Sequence, residues 1–494
     1  MKKHILMAST ALVIGFSSPV AAQDDFAGFS EGILGMLSSQ GATVSFDERN
    51  VGADGSVELV GFWMSAPEGE MTVQADWIKG VPSATTLGQV TFTLSPSATI
   101  TFNDPDTGEH IINIANDGLS ITADGITSGQ DAESLSLSIM ANSFGISSGN
   151  PDDPILKALN FVITNLNQTG SVMPNSALLS GEVAISKIDM LYDLNTPDGQ
   201  MASDGEVVDI NLAFEFIAND SESNIIEYLS GATTAFLEFS VGASSAVAKL
   251  NSPDARISYS GSSEGATIAV RAENGWLTIL EEVGASEYSF SEFNVDGMPL
   301  PPFDVSLDEL GIKLKTPTVD HGSFEEANAV VALRGLQISE SIYSMIDPGQ
   351  AISRDPINAV VDISANLQSK VDWSMPMSAA SGNPNDVGLV QDITINEVLF
   401  TAGGAQITAD GGATVDNSGP FPFPTGKVTI NAAGVQALVN GLVEIGLIPQ
   451  DQAGMAMGMM MAFARPGDAA DEFVSEIEFS PQGITANGVP LPPM

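Results

Sequence analysis

Apolar and polar residues alternate along much of this chain. In "VVDINLAFEF" (207–216), Val208, Ile210, Leu212, Phe214 and Phe216 share one face, and Asp209, Asn211 and Glu215 take the other. "SLSLSI" (134–139) sets Leu135, Leu137 and Ile139 against serines, and "VTFTLS" (90–95) does the same with Val90, Phe92 and Leu94. A period of two marks strands buried on one face and wet on the other. Turn pairs punctuate these runs: "ADGS" at 53–56, "DTGE" at 106–109, "PDGQ" at 197–200, "ENGW" at 273–276 and "ADGG" at 409–412. No long helical crossovers separate them, so neighbouring strands are expected to be antiparallel hairpins and meanders. The pattern predicts a mainly β protein with antiparallel curved sheets, forming an elongated groove or a sandwich-like stack.

Helical signals are few. Residues 26–38 carry an amphipathic pattern through Phe26, Phe29, Ile33 and Leu37. Residues 153–167 open with Asp153 and Pro154, an N-terminal cap followed by a first-turn proline. Residues 222–230 and 339–346 are weaker candidates. The clearest signal is a C-terminal helical hairpin at 434–464. Val435, Leu438, Val439, Leu442 and Val443 form one stripe, "LIPQDQ" turns the chain, and a Met-rich helix ends at Arg465-Pro466-Gly467.

One phrase is written twice. "DGMPLPPF" (296–303) and "NGVPLPPM" (487–494) each follow an alternating strand, "SEYSFSEF" or "SEIEFS". Asp-Gly and Asn-Gly are hairpin-turn pairs, and the prolines make an extended exit that cannot join a sheet ladder. The phrase reads as the closing edge of a β unit. It divides the chain into an N-terminal β-rich unit (23–303) and a C-terminal one (304–494), although turn chemistry alone produces similar wording by convergence.

The N-terminus changes the picture of location. "MKKHILMASTALVIGFSSPVAAQDD" has two lysines, a short apolar run and Val20-Ala21-Ala22, the layout of a signal peptide (1–22) cleaved after Ala22. The run is short for a retained anchor, and no later stretch has the unbroken apolar length of a membrane helix. Aromatics are 6% of the chain, fewer than the girdles of an outer-membrane barrel ask for. The expected location is the periplasm, with secretion as the other outcome of export.

Removing the signal takes two of 16 Lys+Arg and none of 62 Asp+Glu, leaving 14 − 62 = −48. Such a surface repels nucleic acid and anionic headgroups, and reads as a solvated acidic coat or a cation-binding surface. With 43% hydrophobic residues the chain is not compositionally disordered. Cysteine is absent, so an exported protein of this size rests on its hydrophobic core.

"PLPPFDVSLDELGIKLKTP", "SMIDPGQAISRDPINAVVDISA", "GLIPQDQAGMAMGMMMAFARPGD" and "GITANGVPLPP" together resemble an uncharacterised family of alphaproteobacterial exported proteins, domain of unknown function 2125. The likeness covers residues 298–375 and 390–494, with 347–356 and 447–468 its most specific segments. That family supplies no catalytic residues. A looser likeness of build is to envelope proteins whose long β-grooves handle lipid, and a shared build does not establish a function.

Little chemistry is visible. "GFSEG" around Ser30 and "GSSEG" around Ser263 match a nucleophile-elbow pattern, but neither has the strand-then-helix context, and only His110 and His321 remain as bases. Two isolated histidines without cysteine make no zinc or iron site. Asp104, Asp106 and Glu109, and Asp198, Asp204 and Glu206, lack EF-hand spacing and read as acidic turns. There is no phosphate-binding loop or dinucleotide fingerprint. The Met cluster at 455–461 suits core packing against the 434–447 helix, or an adaptable ligand-facing surface. The expectation is a non-enzymatic cell-envelope protein without cofactor, metal or nucleic acid, binding an apolar ligand such as lipid. A structural or protein-interaction component of the periplasm or cell surface is the alternative.

Overall fold

The computed structural model describes residues 34, 38 and 41–491, except 67–70, 87, 105–107, 126–134, 151, 154, 174–177, 197, 218–233, 371–387 and 420–421. The signal peptide, Ser30, and the helices expected at 26–38 and 222–230 lie outside these residues or almost wholly so. Strands dominate, and every strand pair with a stated register is antiparallel. The contacts divide the chain into two units, 1–217 with 241–256 and 218–240 with 257–494. Residue 303 lies inside the second. Strand Ser286–Val295 pairs with Phe303–Leu307, Phe290 opposite Phe303 and Ser286 opposite Leu307.

In the first unit, a small core gathers Val57, Leu59, Phe62, Ala75, Val90, Ala98 and Ala123, drawn from short strands between 57 and 124. Four long strands follow: Leu135–Ser148, Leu156–Met173, Leu178–Thr196 and Gly199–Ile217. The second of these replaces the helix expected at 153–167. Its cap signature is real, because Asp153 Oδ1 accepts hydrogen bonds from the backbone N–H of Ile155 and Leu156, both at 2.8 Å. The segment it opens is extended. Leu159, Phe161 and Ile163 alternate as well as they fit a helical stripe, and partner strands on both sides claim the backbone.

In the second unit, strands Glu325–Ile338, Ile357–Ser369, Gly388–Ala402, Ala405–Asp416 and Phe423–Ala433 pair with their chain neighbours in a meander. Glu472–Ser480 pairs with Phe423–Ala433. Glu309–Pro317 pairs with Glu325–Ile338 on one side and with Trp276–Val283 on the other. Helix Glu340–Ile346 follows the 325–338 strand, in the place expected. The C-terminal hairpin is formed by helices Val435–Glu444 and Gln450–Phe463.

The Met cluster does not take the core position its composition suggested. Only Ala453 of the 450–463 helix is buried, while Met455 is 67% exposed, Phe463 47%, and Met459 and Met461 are exposed too. The helix is apolar nearly all round, so one side can dock and the rest must face outward.

Both copies of the repeated phrase form the same hairpin. Asp296-Gly297 and Asn487-Gly488 have positive φ at both positions (51° and 76°; 48° and 79°), as a type I′ turn requires. Val295 faces Met298 and Asn294 faces Pro299; likewise Ala486 faces Val489 and Thr485 faces Pro490. A second correspondence lies at the other end. "VSFDE" (44–48) and "VSLDE" (305–309) each break a strand at an aspartate, whose N–H donates to the partner strand, Asp47 to Val60 O and Asp308 to Arg334 O. Opposite each aspartate is a glycine with positive φ, Gly61 (65°) and Gly335 (67°), where a β-carbon would collide with the carboxylate.

Candidate functional site

The register of the second unit sorts its residues by polarity. Starting at Val270, directly opposed residues read Ile279, Leu314, Ala329, Ile363, Ile395, Gly411, Val428, Ile477 and Ala486, one from each of ten strands. The next position along reads Arg271, Thr278, Lys315, Asn328, Ser364, Thr394, Gly412, Lys427, Glu478 and Thr485. Successive residues point to opposite faces, so these two rows lie back to back, one apolar and one polar, across the same ten strands. Farther along the polar side Ala332, Val360 and Leu399 are apolar, and Ala332 and Val360 are buried.

Holding this sorting requires an irregularity. Strand Gly388–Ala402 shifts register against Ile357–Ser369 between Asp362 and Ile363, which makes Asn396 an extra residue. Without it, a single-residue slip would put Val398 and Phe400 on the face opposite Ile393 and Ile395. Asn396 turns to the polar side, donating from Nδ2 to Asp362 Oδ1 at 2.8 Å and Ser364 Oγ at 2.7 Å.

The polar face is laced across strands. Arg334 grips Glu397 with two hydrogen bonds (3.2 and 2.7 Å) and reaches Glu309 at 3.5 Å. Arg271 pairs with Glu238 and Lys313 with Glu282. The Arg334 guanidinium holds the Glu397 carboxyl below its ordinary value, and Glu397 in turn raises Arg334. These are half-exposed pairs that fix register more than they add stability.

The apolar face stays open. Ile268, Val270, Leu310, Ile312, Val331, Val361, Ile393 and Phe400 all lie on it, and all are exposed; Val331 reaches 54% and Val361 43%. Glu281 is a charged exception beside Ile312. Large apolar side chains exposed together on one face are unusual for a surface that meets only water.

The first unit has a smaller version. Leu137, Gly170, Gly181 and Phe214 are directly opposed across four strands, as are Ile139, Gln168, Val183 and Leu212. On the other face Ser136, Ser171, Ser180 and Glu215 align, with the two middle hydroxyls 2.8 Å apart. The patch ends at a row marked by positive φ at Asn165 (53°) and Asp209 (52°). Beyond it, Lys187 bridges Asp189 (2.7 Å) and Glu206 (2.8 Å), and along the 178–196 strand the apolar positions change from odd to even numbers. Both carboxylates raise the Lys187 ammonium above its ordinary value.

Two buried acids organise loops. Asp153 accepts from His110 Nδ1 at 2.6 Å; burial pushes its carboxyl up, and hydrogen bonds from Leu156 N, His110 and Ile155 N outweigh that and hold it low. Asp347, fully buried, binds Arg354 Nη1 at 2.6 Å and the N–H groups of Ala351 and Ile352. Arg354 stacks 4.5 Å over the Tyr343 ring. This cluster shapes the 347–356 loop, one of the most recognisable stretches of the sequence, by satisfied hydrogen bonds.

The candidates for chemistry are not assembled. Ser263 ends strand Ala255–Ser263 and bonds to Gly265 and Ser286. His110 contacts Asp153, and His321 Nε2 lies 3.2 Å from Asn274 O. Among the described residues, no three histidines or carboxylates are placed to hold a metal ion; Asp106 lies outside those residues. No helix among them is long and apolar enough to cross a membrane.

Residues 248–493 match a family model described as "Uncharacterized protein conserved in bacteria (DUF2125)". No curated protein matches the chain. Among solved structures, the crystal structure of BauA, the ferric preacinetobactin receptor from Acinetobacter baumannii, aligns with 91% of this chain and 79% of that one at 8% identity. Its TM-score of 0.16 is too low to carry any argument.

Proposed function

We propose, for a chain whose residues 248–493 belong to the uncharacterised bacterial family DUF2125, a non-catalytic role outside the cytoplasm: it holds an apolar ligand, a lipid acyl chain, against the open face of its sheet. The observation that carries this reading is the concentration of exposed aliphatic side chains on one face of strands 266–402, with a laced polar face behind them. A face of that kind offers area and no directional hydrogen bonds, which suits hydrocarbon. The signal-like N-terminus supports export, and the acidic surface keeps the carrier off anionic membranes between encounters.

A second reading has its own support. Met455, Met459 and Met461 project from the 450–463 helix, and methionine is suited to adaptable protein contacts. Titration with a fluorescent fatty acid separates the two. Saturable binding to the folded, signal-free chain is the result expected of the lipid reading, and absence of binding leaves the protein-interaction reading.

A further inference from the structure

We infer that the apolar row of the second unit is a continuous track that holds more than one acyl chain end to end, lying across the strands. This rests on the lipid reading above and adds a length to it. Ala486, at the end of the row, is buried, so the track runs from Val270 to Ile477: nine strands and eight intervals, about 38 Å at the usual ~4.8 Å strand spacing. The hydrocarbon core of a whole bilayer is about 30 Å, so one acyl chain spans about 15 Å. The track is therefore between two and three acyl chains long.

Nothing along that line divides it into separate seats. Every position is aliphatic except Gly411, and no charged or hydrogen-bonding side chain interrupts it. The bulge at Asn396, beside Ile395 of the row, sends its amide to the opposite face, and the other register shifts of these strands, at Leu333/Leu336 and Asn366/Leu367, lie off that line. A directional partner such as a peptide strand would need polar anchors at intervals; a methylene chain needs none. A second copy of this chain is disfavoured as the occupant, because each copy brings a formal charge of −46.

The experiment is native mass spectrometry of the full signal-free chain, incubated with zwitterionic lysophosphatidylcholines from decanoyl to oleoyl. On a continuous track, the number bound falls as the acyl chain lengthens, with at least two oleoyl molecules still held. A single bound molecule at every length would overturn the track and leave the acyl-binding reading intact. No bound lipid at any length would overturn both, as would a lipid-free dimer. A paired variant, Val331→Lys with Val361→Glu, places an opposite-charge pair at two exposed and directly opposed positions beside the row, where cross-strand pairing tolerates it. It is expected to lower the number of oleoyl chains held while leaving the circular dichroism spectrum unchanged. An unaltered count would overturn the track, and the chain-length series needs no variant should this one fail to fold.

Discussion

The ring of Phe214 lies over Gly181 on the neighbouring strand, where a β-carbon would stand 2.7 Å from Phe214 Cζ. Gly170 opposes Gly181 on its other side, so two adjacent strands leave a slot that the aromatic ring fills. Gly261 stands in the same relation to Tyr288 in the second unit.

Gly181→Val should therefore displace the ring and destabilise the first unit by about 1–3 kcal/mol, the usual cost of forcing volume into a filled site. Urea unfolding followed by circular dichroism measures it. In a Phe214→Ala background the same substitution should cost less, because the slot is then empty.

Asp347→Asn should lower the melting temperature at neutral pH. Arg354 and the N–H groups of Ala351 and Ile352 all bind the charged form and hold its carboxyl below the ordinary value of 3.8. A depressed folded-state value means the stabilisation is present above the unfolded value and is lost as pH falls through the folded one. The gap between wild type and Asp347→Asn should be full at pH 6–7, and should close below the ordinary aspartate range. Thermal melts over a pH series decide this, and a gap that persists in strong acid would mean the carboxylate is not the stabilising form.

On the 450–463 helix, Phe463→Ala should change stability by no more than about 0.5 kcal/mol, since the ring is exposed. Ala453→Leu, at the buried contact, should cost about 1–3 kcal/mol. The two melts together test which side of the helix docks.

The closing hairpins should differ in their tolerance of substitution. Asn487 has positive φ, and its side chain also donates to Phe463 O (2.9 Å) and accepts from Glu476 N (3.0 Å). Asn487→Ala should cost about 2 kcal/mol or more, combining the left-handed backbone penalty with two lost hydrogen bonds. Asp296→Ala, at the matching turn, should cost only the backbone part, about 1 kcal/mol. Denaturant midpoints of the two variants give the comparison.

Much of this was legible in the sequence. The faces of 135–139 and 210–216 follow from alternation alone, though not the break at Asp209, and the helical hairpin follows from its stripe, its turn and its Pro-Gly stop. The 153–167 segment misled because an aspartate cap serves a strand entry as well as a helix, and partner strands decide between them. The ten-strand row was hidden for a different reason: it exists only once register is known, and register depends on the extra residue at Asn396. The pairing of "VSFDE" with "VSLDE", and of "ITADG" at 121–125 with "ITADG" at 407–411, was present in the sequence throughout. Comparing the chain with itself beyond its closing phrase would have found both.

The meander from Glu325–Ile338 to Phe423–Ala433 has one more consequence, which concerns cooperativity. Its three inner strands, Ile357–Ser369, Gly388–Ala402 and Ala405–Asp416, pair with their chain neighbours, so the free energy of each is set chiefly by two interfaces. Such an array comes apart by degrees. Amide hydrogen exchange should be slowest in the middle strands, faster toward the ends, and heat should give a broad transition in place of one sharp step. Damage to one strand would then stay near it, and the register of distant strands would be kept.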